Sequence, residues 1–369
     1  MRILALNGGS SSFKCAVYEF AADPTGVTPP VWSEKIEWNG DDLHGALEPV
    51  LRRSGRVDVA GHRIVHGGAK FRSSTRVTPE VHAAIAALGE IAPAHNRYEL
   101  DAIDSVARVL GPNVPQVAVF DTAFHATIEP DAYVYPGPYE WLAKGIRRYG
   151  FHGTSYQFAT RRAAEMLGDV PARLLICHLG NGASLCAVRN GKSIDTTMGF
   201  TPLEGLMMGT RCGSIDPGII IHLLRTGSCT ADQLDHVLNH KSGLLGVSGF
   251  SGDMRAILDA IGKGDERGRL AFDVYLHRLA REAGSMIAVL GGLDALVFTG
   301  GIGEKSPLVR EALCQQLSFL GLTLDSSKNA NVQTDQNIAA LSSSAPILVI
   351  RAQEEWEIAR ECWRLATSL

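Results

Sequence analysis

Several common structural devices are missing from this 369-residue chain. It has no CxxC pair, and its seven cysteines are an odd number, which excludes a disulfide framework or a structural zinc site and fits a reducing compartment. Its longest mostly apolar run, Ala283 to Leu293, stops at Asp294 and is too short to span a bilayer. The N-terminal stretch Ile3-Leu4-Ala5-Leu6 is too short for a signal peptide. Charge of one sign is not in excess: 35 Lys and Arg against 39 Asp and Glu leave a net −4, which excludes a basic coat for nucleic acid or anionic membrane. Aromatics are only 7%, yet the 45% hydrophobic content is that of a globular chain. Neither an HExxH zinc motif nor a GxSxG elbow is present. Gly191-Lys192-Ser193 looks like the end of a phosphate-binding Walker loop, but Cys186 stands where its first glycine is required. What remains is the expectation of a cytoplasmic enzyme with no membrane or nucleic-acid partner.

What is abundant is glycine, 39 residues gathered in short clusters. At about 150 residues per domain the length predicts two or three domains. A repeat favours two. Ile3 to Leu6, the turn Asn7 to Ser12 and Phe13 to Val17 match Leu174 to Cys177, the turn His178 to Ala183 and Ser184 to Val188, without a gap, at an offset of 171. Each reads as a β-hairpin. Glycine allows a ligand close to backbone amides, and consecutive N–H groups in such turns form nests for anions.

Elsewhere strands alternate with helices, which predicts an α/β fold. Helices are expected over Pro79–Leu88, Leu100–Leu110, Asp216–Arg225 and Leu270–Leu290, from Thr154 to about Gly168, and from Glu354. Strands are expected at Val117–Phe120, Leu296–Thr299 and Ile347–Ile350, with a hairpin turning at Asn190-Gly191. Polar residues sit where strands end, the usual place for an α/β site. They include Arg63 and His66, His95, Asp121, His152, and Arg211 in a glycine-flanked loop, where a guanidinium fork can grip phosphate or carboxylate. Gly301-Ile302-Gly303, with Asp325 about 22 residues on, is a faint dinucleotide fingerprint whose third glycine is missing, since Ser306 stands there.

The stretches Asn7 to Lys14, His62 to Gly68, Ala92 to Asn96, Phe120 to His125, Arg148 to Ser155, His178 to Gly182, Gly205 to Arg211 and Phe298 to Glu304 together resemble the acetokinase family, in family order and across essentially the whole chain. The resemblance implies duplicated ribonuclease H-like domains of the actin/Hsp70/sugar-kinase type with a cleft between them. The domains are expected at 1–149 with 355–369, and at 150–354. It implies reversible, ATP-dependent phosphorylation of a short carboxylate, acetate first, in a homodimer, with ATP or ADP as co-substrate and Mg²⁺ or Mn²⁺ as metal. By resemblance, Arg63, Asp121, His152, Arg211 and His95 are catalytic. Asn7, Ser12, Lys14, His178, Gly180, Asn181 and Gly182 hold phosphates; Asp253, Arg255, Gly300, Gly301, Ile302 and Gly303 hold the adenosine. Val65, Ala94, Phe151 and Pro202 wall the acyl pocket, and Asn7 and Glu354 place the metal. Ala94 stands where the family usually has Leu, so propionate or butyrate is a rival acceptor to acetate. Two rivals to a carboxylate kinase are a dehydrogenase and a non-catalytic nucleotide-binding protein of the same fold. Arg97, Tyr156, Lys305 and Gln353 also depart from the family's usual Pro, His, Asn and Asn.

Overall fold

The computed structural model describes residues 1–9, 12–37, 42–90 and 93–367, with residues 90 and 93–96 described by their backbone alone. The chain divides into two units. One comprises Met1–Ala126, Phe151–Phe158 and Gln353–Leu369; the other comprises Thr127–Gly150 and Ala159–Ala352. Relative to the expected boundaries, residues 127–149 go with the second unit, and 151–158 with 353–354 go with the first.

The first unit holds a mixed sheet of β1 (Arg2–Gly8), β2 (Ser12–Glu19), β3 (Trp32–Glu37), β4 (Val59–Ile64), β5 (Thr75–Arg76) and β6 (Gln116–Phe120), in the order β3-β2-β1-β4-β6-β5. The second holds β7 (Arg173–Leu179), β8 (Ala183–Arg189), β9 (Lys192–Thr196), β10 (Ala295–Thr299), β11 (Gln336–Asn337) and β12 (Ile347–Val349), in the order β11-β12-β10-β7-β8-β9. Read from the other edge, this is the first order again. The strand senses also repeat: β1, β4 and β6 are mutually parallel, as are β7, β10 and β12, and every other pairing between neighbouring strands is antiparallel.

The repeat is therefore structural, with one correction to its register. Gly8 pairs with Phe13 with four residues of sequence between them, whereas Leu179 pairs with Ala183 with three. The gap-free match aligns the two Cys-Ala-Val runs, yet Cys15 faces Leu6 while Cys186 faces Ile176, one step from the counterpart of Leu6. The second connection is one residue shorter, and only the pairing reveals it.

The core strands carry apolar runs because both faces are covered. Helix Glu354–Thr367 packs on β1 and β4. At Gly61 a Cβ would lie 2.4 Å from Cys362 Sγ, so glycine permits that approach. In the second unit helix Glu266–Leu290 lies on β7 and β8, burying Ala271, Tyr275, Leu279, Ala283 and Leu290 on one stripe. Asp265 caps its start, accepting from Gly268 N at 2.6 Å, and Gly291 in the left-handed region closes it. That cap starts the helix four residues before the expected Leu270. Asn190 (φ 49°) and Gly191 (φ 79°) form the tight turn between β8 and β9 that their dipeptide predicts. The faint dinucleotide fingerprint dissolves: Leu324 makes only an isolated bridge to Ala339, and Asp325 caps the short helix Ser326–Ala330.

β4 has two polar residues where apolar ones are the norm, and each has a partner. His62 Nε2 is 2.7 Å from Gln116 Oε1. The Gln116 amide is oriented by donating to Ile103 O, so the His62 ring is the donor. His62 Nδ1 is buried with no partner among the described residues, which suits a neutral ring. Burial pushes its pKa down from 6.5 to about 4, against the Gln116 hydrogen bond. The unfolded chain binds a proton near 6.5 and the folded one only near 4, so stability falls as pH drops through that window, by about 3 kcal/mol. Urea unfolding at pH 7 and 4.5 should show this loss, and it should shrink in His62→Asn.

Candidate functional site

In the first unit the candidate residues gather at the carboxyl ends of β1, β4 and β6. Arg63, near the end of β4, donates from Nε and Nη2 to Asp121 Oδ2 at 2.9 and 2.5 Å, and from Nη1 to Gly8 O at 2.8 Å. Thr154 Oγ1 donates to the other oxygen, Asp121 Oδ1, at 3.0 Å. Asp121 is 1% exposed. Burial pulls the Arg63 pKa down, but Asp121, Glu354 and Glu99 outweigh it and hold it above its ordinary value. Among the described residues, three of the five guanidinium N–H groups are engaged, leaving two for a ligand oxygen.

His152 follows in a left-handed conformation, φ 60°, unusual for a residue with a Cβ and characteristic of functional turns. The next residue explains it. Gly153 N donates to Asp121 O at 2.9 Å, and a Cβ there would lie 2.0 Å from that oxygen. The chain thus wraps tightly on Asp121 before starting helix Gly153–Leu167. Val65 and Phe151 are buried, and the Phe151 ring packs edge-on to His66 at 5.5 Å. The side chains of Ala94 and His95, and all of Ser10, lie outside the described residues.

Asn7 Nδ2 donates to Glu354 Oε2 at 2.8 Å and to Glu355 Oε1 at 3.0 Å, and Lys14 Nζ is 3.4 Å from Glu355 Oε1. Ser12 starts β2, two residues before Lys14. Two carboxylates and an amide oxygen are hard donors that suit Mg²⁺. Among the described residues no group of three or more His, Cys, Asp or Glu could hold a metal, so such an ion would keep much of its water.

The second unit carries the other candidates around its own turn. His178 lies one residue before the end of β7, and Gly180 N donates to Gly182 O at 3.0 Å across Asn181. Asn181 O accepts from Gly209 N at 3.0 Å, and a Cβ at Gly209 would lie 2.2 Å from Asn181 Oδ1. A cavity of about 570 Å³ opens here, bounded by Gly180, Asn181, Asp253, Arg255, Gly301 and Ile302. Asp253 caps helix Met254–Gly262, and Arg255 folds back onto it, Nη2 to Oδ2 at 2.6 Å. The glycine cluster forms a short helix, Gly300–Lys305, entered through Gly300 at φ 77°.

The wall also contains residues that sequence reasoning missed. Met254, Leu258, Pro307 and Leu308 supply an apolar side; Lys305, read in the sequence as a departure from the family's usual Asn, lines the cavity beside them. Behind it Arg310 is 1% exposed, with Nη1 on Gly303 O (2.8 Å) and Glu304 O (2.9 Å) and Nε and Nη2 on Asn329. It ties down the helix end that borders the cavity. These acceptors are all neutral, and burial lowers its pKa. Arg211 Nη1 donates to Pro202 O at 3.2 Å, which places those two candidates together on the second unit.

Comparison with known proteins matches this arrangement to one family. The model described as the acetokinase family matches residues 36–360. An acetate kinase of Trichormus variabilis is 49% identical over 403 aligned residues, covering 99% of each chain. The crystal structure of Porphyromonas gingivalis acetate kinase, 36% identical, has a TM-score of 0.88 over 99% of this chain and 100% of that one. A propionate kinase from Francisella tularensis, also 36% identical, has a TM-score of 0.88 over 98% of this chain and 99% of that one.

Proposed function

Because the chain belongs to the acetokinase family, we propose that it transfers the γ-phosphoryl group of ATP to acetate, reversibly, giving acetyl phosphate and ADP. The observation that carries the chemistry is the Arg63–Asp121 pair: a guanidinium fixed on three sides with two N–H groups left to receive a carboxylate. Acetate is ionised at neutral pH, so no general base is needed. Phosphoryl transfer then asks for positioning and charge stabilisation. By resemblance to the family, Arg63 is assigned to the acid, and Arg211, His152 and His95 to the oxygens of the moving group. Val65, Ala94, Phe151 and Pro202 receive the methyl group. The turn at Gly180–Gly182, with His178, takes phosphate oxygens, and the cavity beyond takes the adenosine. Mg²⁺, or Mn²⁺, when bound by Glu354 through water and by Asn7, supplies positive charge to the phosphates.

Acetate is the acceptor in preference to propionate or butyrate. The curated relatives at 49% and 48% identity are acetate kinases, whereas the solved acetate and propionate kinases are equally similar to this chain, at 36%, and do not separate the two. Purified protein with Mg²⁺ and ATP should release ADP only when acetate is added; ADP release indifferent to acetate would overturn the assignment.

A second copy of the chain is the proposed partner. Helix Pro217–Arg225 buries none of its residues, and Ile219, Ile221 and Leu224 are 48%, 49% and 43% exposed. An apolar helix left this open calls for a cover. Ile221→Glu should convert a dimer to a monomer in light scattering, and an unchanged mass would put the contact elsewhere. We place the enzyme in the cytoplasm. All seven cysteines are unpaired, and among the described residues no helix is long and apolar enough to cross a membrane.

A further inference from the structure

Glu99 is a carboxylate that the mechanism does not use. It lies on helix Pro93–Leu110 and is 4% exposed. Among the described residues its oxygens accept from a single backbone donor, Val65 N, at 2.9 and 3.1 Å. Val65 is two residues from Arg63, where β4 ends, so Glu99 lies near enough to the acid-binding guanidinium for the two charges to act on each other. A buried carboxylate with one N–H for two oxygens is poorly compensated when ionised.

The groups that act on it are few. Burial pushes its pKa up to about 8; Arg63 and the Val65 N–H pull it down, and Asp121 pushes it up. The other charged groups on neighbouring elements are engaged away from it. His44, on helix Leu43–Arg53, contacts Ser105 and Asp101; His82, on helix Pro79–Ala87, contacts Asp104; Arg2 on β1 is paired with Glu19. His62 on β4 bonds Gln116.

We propose that Glu99 is a positioning residue that sets acetate affinity through Arg63. As the neutral acid it supports the Val65 backbone beside the acyl pocket and adds no charge to those of Asp121 and Glu354 that already act on Arg63, whose two remaining N–H groups stay available to the substrate carboxylate. As the anion it adds a further negative charge near Arg63, which draws on the same guanidinium and repels an incoming carboxylate. The inference rests on the assignment of Arg63 to the acid site.

Initial rates from pH 6.5 to 9.5 test it. Acetate-dependent ADP release at pH 7 tests the carboxylate-kinase assignment alone. The KM for acetate should then be flat to pH 7.5 and rise above about 8, approaching tenfold per pH unit, while kcat and the KM for ATP stay level. Glu99→Gln, which keeps an acceptor for Val65 N, should hold the KM for acetate low throughout. A flat acetate KM in the unaltered enzyme overturns the proposal with no variant needed, and so does a folded Glu99→Gln enzyme that keeps the rise.

Discussion

Arg63→Ala is expected to lower turnover by about a thousandfold, the scale seen when one preorganised donor to developing charge is removed. Two losses coincide. The substrate carboxylate loses its fork, and Asp121, 1% exposed, loses the partner that takes its Oδ2. An unpaired buried charge destabilises by about 3–5 kcal/mol, although Thr154 still donates to Oδ1 and relieves part of it. The two effects separate in Arg63→Lys, which keeps the charge beside Asp121 but cannot reach Gly8 O and Asp121 while presenting two parallel donors. Lysine should restore most of the thermal stability and little of the turnover. Turnover within tenfold of the parent in a folded Arg63→Ala protein would remove Arg63 from the mechanism.

Gly300→Ala is expected to act on the nucleotide instead. At φ 77° an L side chain costs about 1–2 kcal/mol, and the added Cβ would lie 2.8 Å from Leu179 O, a backbone atom inside the sheet. The helix Gly300–Lys305 must shift, and Gly301 and Ile302 on the cavity wall shift with it. The KM for ATP should rise at least about tenfold with the KM for acetate nearly unchanged, and the melting temperature should fall by several degrees. Gly301→Ala is the control for stability: nothing lies within 4 Å of its added Cβ, so its melting temperature should match the parent's.

Local features of this chain are legible in the sequence. The hairpin at Asn190-Gly191, the strands at Val117–Phe120 and Leu296–Thr299, and the helix that ends at Gly291 follow from nearest-neighbour chemistry. Arg63 stands out through its glycine neighbours, and Gly180, Asn181, Asp253, Arg255, Gly301 and Ile302 border one cavity whose lining does not include His178, Gly182, Gly300 or Gly303. What cannot be read is what depends on pairing through space. Asp121 meets Arg63 across 58 residues, and Glu99 meets Val65 across 34. Neither has a local pattern, and a glutamate within a helix reads as a solvated face. Arg310 is hidden in the same way, since its partners include a side chain 19 residues away. The shorter second hairpin escapes because matched residues align best without a gap, whereas the ladder counts backbone pairs. β4 is hard to see because His62 and Arg63 interrupt its apolar run, and only Gln116 and Asp121 make them tolerable there.

Formation of an acyl phosphate is the step on which everything else depends. Hydroxylamine converts acyl phosphates to hydroxamates, which are read by their ferric colour. Protein incubated with Mg²⁺, ATP, acetate and hydroxylamine should accumulate acetohydroxamate in step with ADP, and Arg63→Ala should abolish both. ADP formed with no hydroxamate, or no product at all from folded protein, would contradict the assignment.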